Sequence, residues 1–233
     1  MPSPVERVDP VNSQLVEWLD LAKDKGHMLV IGLTGGIGTG KTEVSRMLED
    51  LGAEIINADL LGHEAYIPQT ETWRRIVDSF GEGVLTEDGE VDRKKLGALV
   101  FGDPGALERL NAIMFPRIYQ MVEERLGDLR AKGDEVAVVE AALFVEANWT
   151  SLADELWVTA APEDLVIKRV RARTNLDEGA VRDRIRSQMP QEERLGHADV
   201  VIENGVGLDD LRERVHQLWH SRVKTEKESR LSR

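Results

Sequence analysis

Ile31-Gly32-Leu33-Thr34-Gly35-Gly36-Ile37-Gly38-Thr39-Gly40-Lys41-Thr42 is the stretch from which the rest of the chain is read. Gly35 to Thr42 fit the pattern GxxxxGK[ST]. Glycines let the backbone curl until successive N–H groups point inward at an anion. The apolar run Met28–Leu33 before the loop suits a buried parallel strand. After it, Val44, Met47, Leu48 and Leu51 fall at helical spacing. The loop therefore opens a helix whose N-terminal dipole favours phosphate. In that setting Lys41 reaches β- and γ-phosphates and the Thr42 hydroxyl ligates Mg²⁺. A Lys-Thr pair closes the loop, so the dinucleotide-binding reading GxGxxG fails.

Working outward, Ile55-Ile56 forms a second short strand ending at Asn57-Ala58-Asp59. Leu60–Tyr66 and Glu71–Phe80 read as helices, and Gly81–Gly89 as a loop or short hairpin. Asp92–Phe101, Pro104–Met114 and Pro116–Lys132 predict three helices in a row, a small helical insertion. Val136–Val139 with Glu140, Leu156–Thr159 and Val200–Ile202 supply three more strands. Glu163–Arg173, Glu178–Gln188 and Leu208–Val223 supply further helices. Strands alternating with helices imply an α/β fold with a parallel sheet covered on both faces. Ligands of such folds sit at the carboxyl ends of the strands.

The organisation expected is an N-terminal extension over 1–27, a nucleotide-binding core over 28–66, 134–160 and 191–223, a helical insertion over 67–133, a lid over 161–190 and a flexible tail over 224–233. Within the extension, Leu15, Trp18, Leu19 and Ala22 mark a helix over 12–25. It is either a surface helix or a partner-binding helix anchored by Trp18.

Composition narrows the chemistry. The chain has no cysteine, which excludes disulfides, thiolate catalysis and Cys-ligated metals. His216 and His220 sit four apart near the end of a polar helix and read as a solvated face rather than a metal site. No apolar run spans a membrane, and Met1–Gln14 has neither the basic nor the apolar region of a signal peptide. A cytoplasmic protein is expected, with no membrane partner. With 30 Lys+Arg against 43 Asp+Glu the formal charge is −13, which disfavours nucleic acid. The charge is not uniform. Lys168–Gln188 hold seven basic and three acidic residues, a local +4 that leaves −17 on the rest. A small polyphosphate ligand is therefore admitted where positive groups are focused.

Asp59 follows the second strand, at the carboxyl edge beside the loop. A carboxylate there either accepts a proton from a hydroxyl attacking the γ-phosphate or caps a helix starting at Leu60. Glu140 closes the third strand and is either an outer acid toward Mg²⁺ or a plain strand-end carboxylate. Arg169 and Arg173, four apart, share a helix face in an Arg-rich helix–turn–helix. That hairpin is read as a closing lid, the alternative being a solvated face of i,i+4 ion pairs.

Four stretches together resemble the dephospho-coenzyme A kinase family: the loop with Thr34 before it, Asn57-Ala58-Asp59, Ala142-Leu143-Phe144-Val145-Glu146, and Gln188 followed by Ala198–Gly205. The likeness runs from about Met28 to Trp219. It implies a P-loop NTPase-type three-layer sandwich with a five-stranded parallel sheet, a helical substrate-binding insertion and an Arg-rich lid. It implies transfer of phosphate from ATP, with Mg²⁺, to the ribose 3′-hydroxyl of dephospho-coenzyme A, the last step of coenzyme A biosynthesis. Asp59 matches the family's proposed base, Gly35–Thr42 the ATP phosphate site, Arg169 and Arg173 the lid arginines, and Asn204 the approach to adenine. Arg93 falls in the insertion that covers the substrate, and with Asp59 and Glu140 is placed on the substrate side. The pattern departs at Asn57, where the family has Asp, at Phe115-Pro116, where it has His-Pro, and at Ala142, where it has Pro. A monomer or weak homo-oligomer is expected. The alternatives that share the loop are another P-loop small-molecule or nucleoside monophosphate kinase, the latter with less need of Asp59, and a switch that binds nucleotide without acceptor-dependent turnover.

Overall fold

A computed structural model describes residues 28–224. The helix expected over 12–25, the rest of the N-terminal extension and the tail beyond Lys224 lie outside the described residues.

Five strands form one parallel sheet: β1 (Leu29–Gly35), β2 (Glu54–Asn57), β3 (Val136–Glu140), β4 (Glu155–Ala160) and β5 (Val200–Glu203), in the order β2-β3-β1-β4-β5. β1 lies in the middle, with Leu29 against Val136 and Ile31 against Glu155. Its alternation sorts its side chains to two faces. Leu29, Ile31 and Leu33 pack with Val44, Leu48, Leu211 and Trp219 on one face. Those partners come from α1 (Lys41–Asp50) and α9 (Leu208–Trp219) with its π-helical extension His220–Lys224. Met28 and Val30 face the opposite cluster, which includes Ile113, Met121, Phe144 and Trp149. Gly32 is needed on that face because a Cβ would stand 2.7 Å from the Phe144 ring. The result is the three-layer sandwich expected, with every residue of β1 and β3 buried.

Helices α2 (Ala58–Glu64), α3 (Glu71–Phe80), α4 (Arg93–Phe101) and α5 (Pro104–Lys132) lie between β2 and β3. The segment after α3 is a 3-10 turn, Glu82–Val84, and a single antiparallel bridge, Leu85 to Val91. The two helices expected over 104–114 and 116–132 are one continuous helix with Pro116 inside it. Proline removes one i→i−4 bond and normally kinks or stops a helix. Here Ile113, Met114, Ile118, Met121 and Val122 are all buried on the same core, so packing on both sides of Pro116 holds the axis through the missing bond.

After β4 come α6 (Glu163–Arg173), α7 (Glu178–Arg186) and a short helix, α8 (Gln191–Leu195), that the periodicity did not announce. Val166, Val170 and Val181 give this hairpin a small core of its own, against which Ile37 of the loop is packed.

Candidate active site

The glycine loop is shaped by close approach. Gly38 and Gly40 have φ of +72° and +102°, the left-handed region that favours glycine. Gly35 admits no side chain, because a Cβ would lie 2.0 Å from Thr159 Oγ1. Thr39 turns inward: its hydroxyl donates to Gly36 O at 2.8 Å and meets Thr159 Oγ1 at 2.7 Å. Of the residues expected to hold phosphates, Thr39 therefore fixes the loop with its side chain rather than presenting it. Gly35, Gly36, Ile37, Gly38, Gly40, Lys41 and Thr42 line a cavity of about 740 Å³, together with Arg169, Arg173 and Asn204.

Three charged groups converge at the strand ends. Lys41 Nζ lies 3.6 Å from Glu140 Oε1 and 3.7 Å from Asp59 Oδ2. The Glu140 side chain is 5% exposed and that of Asp59 50%. Glu140 is thus a fixed partner, while Asp59 remains open to a ligand. Asn57 Nδ2 donates to Glu140 Oε2 at 3.3 Å, and the Ala142 N–H donates to Asp59 Oδ1 at 3.3 Å.

The capping alternative for Asp59 is not what the backbone does. Helix α2 starts at Ala58, and Asn57 is its N-cap, accepting from Leu60 N–H at 2.9 Å. Asp59 is in the first helical turn, with its carboxylate turned toward Ala142 and Lys41. The helix starts two residues earlier than a cap at Asp59 requires.

Asn204, buried at the end of β5, is a brace. Its Nδ2 donates to Thr39 O at 2.9 Å, and Arg169 donates to its backbone and side-chain oxygens at 3.0 and 2.9 Å. Arg169 is thereby tied to the loop through Asn204, and Arg173 reaches the cavity one turn further along α6. The arginines of the hairpin divide between both readings of that segment. Arg182 pairs with Glu178 at 2.9 Å and with Glu163, Arg171 with Glu178 at 3.7 Å, and Arg186 with Asp183 at 2.6 Å. Those three form the solvated face, while Arg169 and Arg173 serve the cavity. Arg93 is exposed at the first residue of α4 and belongs to neither the cavity nor the Lys41 cluster.

A model of the dephospho-CoA kinase family matches residues 29–210. The chain belongs to the dephospho-coenzyme A kinase family. It is 45% identical over 195 residues to the dephospho-CoA kinase of Geobacter sulfurreducens, covering 84% of this chain and 99% of that protein. It is 41% identical over 186 residues to that of Carboxydothermus hydrogenoformans, covering 80% and 90%. Among solved structures, a Thermus thermophilus protein superposes with a TM-score of 0.72 at 31% identity, over 84% of this chain and 99% of that one. The dephospho-CoA kinase of Campylobacter jejuni superposes at 0.64 with 27% identity, over 84% and 98%.

Two features of this dephospho-CoA kinase family member escaped its sequence. Arg194, 2% exposed on α8, donates to Glu146 Oε1 at 2.9 Å, a part-buried ion pair between the end of the hairpin and the segment after β3. Arg194 Nη1 also lies 3.5 Å from where a Gly36 side chain would begin. Gln188 accepts from the Ile37 N–H at 2.9 Å. The resemblance marks Gln188 and Glu146, but no spacing rule pairs residues so far apart.

Proposed function

We propose that this chain transfers the γ-phosphoryl group of ATP to the ribose 3′-hydroxyl of dephospho-coenzyme A, giving coenzyme A and ADP. The observation that carries it is the half-exposed Asp59 carboxylate beside Lys41, at the mouth of a phosphate loop. A hydroxyl acceptor must lose its proton, and Asp59 is the open carboxylate placed to take it. A nucleoside monophosphate kinase attacks with a phosphate oxygen and needs no such base.

Loop amides and Lys41 hold the β- and γ-phosphates, and Arg173 adds positive charge from the hairpin. The 3′-oxygen forms its bond to phosphorus as the bond to the β–γ bridging oxygen breaks. ADP leaves with that electron pair, and the proton goes to Asp59. Closure of the hairpin over the cavity would exclude water and suppress hydrolysis.

The donor set suits Mg²⁺. Thr42 is on the cavity wall, and Glu140 and Asp59 offer hard oxygens beside Lys41. Mg²⁺ keeps several waters and is usually held by one or two protein oxygens plus substrate phosphates. Thr42 would hold it directly and Glu140 through water. When bound, Mg²⁺ offsets charge on the phosphoryl oxygens. Arg93, in the insertion, is assigned to the dephospho-coenzyme A side, and Asn204 to the approach of adenine. No described helix is long and apolar enough to cross a membrane. The reading places the reaction in the cytoplasm, in a monomer or weak homo-oligomer.

The test is an acceptor panel with Mg-ATP. Dephospho-coenzyme A should be preferred over AMP and over simple alcohols by a wide margin in kcat/KM. If it were no better than AMP, this reading would be wrong.

A further inference from the structure

We propose that Gln188 is a catalytic residue, its side-chain amide donating to the γ-phosphoryl group held by the loop. This assignment rests on the ATP-dependent transfer proposed above.

The orientation of the amide is set by chemistry. The Ile37 N–H can only donate, so the Gln188 atom 2.9 Å from it is the carbonyl oxygen Oε1. The –NH₂ group is then the other arm of the fork. Among the described residues Nε2 meets no hydrogen-bond partner. Gln188 lines the same cavity as Gly36, Lys41 and Arg173. A half-buried amide on the cavity wall, its oxygen already bound to the Ile37 N–H, is a fixed donor for an anion held there.

Its place along the loop indicates which phosphate it meets. The chain passes from the end of β1 through Gly36 and Ile37 to the helix N-terminus at Lys41. The helix end holds the inner phosphates. The terminal one then lies toward the strand ends, where Lys41 meets Asp59 and Glu140. Ile37 stands at the β1 end of the loop, four residues before Lys41, and Gln188 is bound to it. A neutral donor suits the position, because Lys41 and Arg173 already supply charge. What Gln188 adds is a fixed direction toward an equatorial oxygen, with no proton or electron transferred. Gln188 also stands two residues after the end of α7, so it arrives with the hairpin.

Two variants separate this role from that of a mere latch on Ile37. Gln188→Glu keeps an oxygen for the Ile37 N–H and removes the donors. Gln188→Met removes both without adding charge. Binding of Mg-ATP and Mg-ADP is measured by calorimetry on the full chain, and turnover with dephospho-coenzyme A by ADP release. Both variants should lower kcat by about 10²-fold, the usual cost of one preorganised donor. Both should also erode the preference for ATP over ADP by about tenfold, since only ATP carries the contacted group. Wild-type turnover and an unchanged ATP-to-ADP ratio in Gln188→Glu would overturn the proposal. So would an equal loss for both nucleotides in Gln188→Met. If Gln188→Met fails to fold, Gln188→Glu, which retains the Ile37 bond, carries the test. A wild-type protein inert toward dephospho-coenzyme A would refute the kinase reading, while the nucleotide ratio would still decide whether Gln188 touches the terminal phosphate.

Discussion

Lys41 Nζ stands 3.7 Å from Asp59 Oδ2, so the cation of the phosphate loop and the open carboxylate in the first turn of α2 flank one small space. A phosphoryl group passing between nucleotide and acceptor has to cross it.

Asp59→Asn preserves that shape and removes the proton acceptor. Turnover with dephospho-coenzyme A should fall by about 10²- to 10⁴-fold, the range for loss of a general base. Mg-ATP binding, followed by calorimetry, should persist. Unchanged turnover would remove Asp59 from the role of base.

Arg194 is buried and pairs with the partly exposed Glu146, with Arg194 Nε and Glu146 Oε2 lacking partners among the described residues. Glu146→Ala leaves the guanidinium buried and unpaired, and should cost about 3–5 kcal/mol in urea unfolding. Replacing both, Arg194→Met with Glu146→Leu, should recover most of that loss, because the desolvation cost goes with the charges. A single variant as stable as the parent would mean that solvent reaches the pair.

Gly40 has a φ of +102°, and a Cβ there would lie 2.1 Å from Asn204 Nδ2. Gly40→Ala should displace the Asn204 amide, release Thr39 and destabilise the fold by about 1–3 kcal/mol. Asn204→Ala should weaken Mg-ATP binding by unfastening both Thr39 and Arg169. Because the two changes damage one contact, the double variant should lose less than the sum of the singles. Strict additivity in nucleotide affinity would show that Asn204 does not brace the loop.

Asn57 caps α2 with its oxygen and donates to Glu140 with its nitrogen. Asn57→Asp keeps the cap but sets a second carboxylate against Glu140. Thermal unfolding without Mg²⁺ should shift downward by an amount near 1 kcal/mol, the scale of one lost hydrogen bond. Added MgCl₂ should restore more stability to the variant than to the parent. Equal responses would place the ion away from this pair of positions.

The sheet and the loop were legible because their signals are contiguous: an apolar run, glycines, then helical spacing. The Asp59 cap failed on a two-residue shift of the helix start, a margin that periodicity does not resolve. Pro116 misled because local propensity was overruled by apolar neighbours on both sides of it. The Arg-rich hairpin was visible as composition, yet only packing separates Arg173, on the cavity, from Arg182, bound to Glu178 and Glu163. The Arg194–Glu146 pair and the Gln188–Ile37 bond join residues 48 and 151 positions apart, so they belong to the tertiary fold alone.

The bond from Asn204 to Thr39 spans 165 residues. During synthesis the loop sequence emerges early, but its brace arrives only with the last strand. A nascent chain therefore carries the whole phosphate motif well before it can set that motif rigidly. Nucleotide capture is in this way deferred until β5 has docked, and a fragment ending before residue 204 should display the motif without the affinity that goes with it.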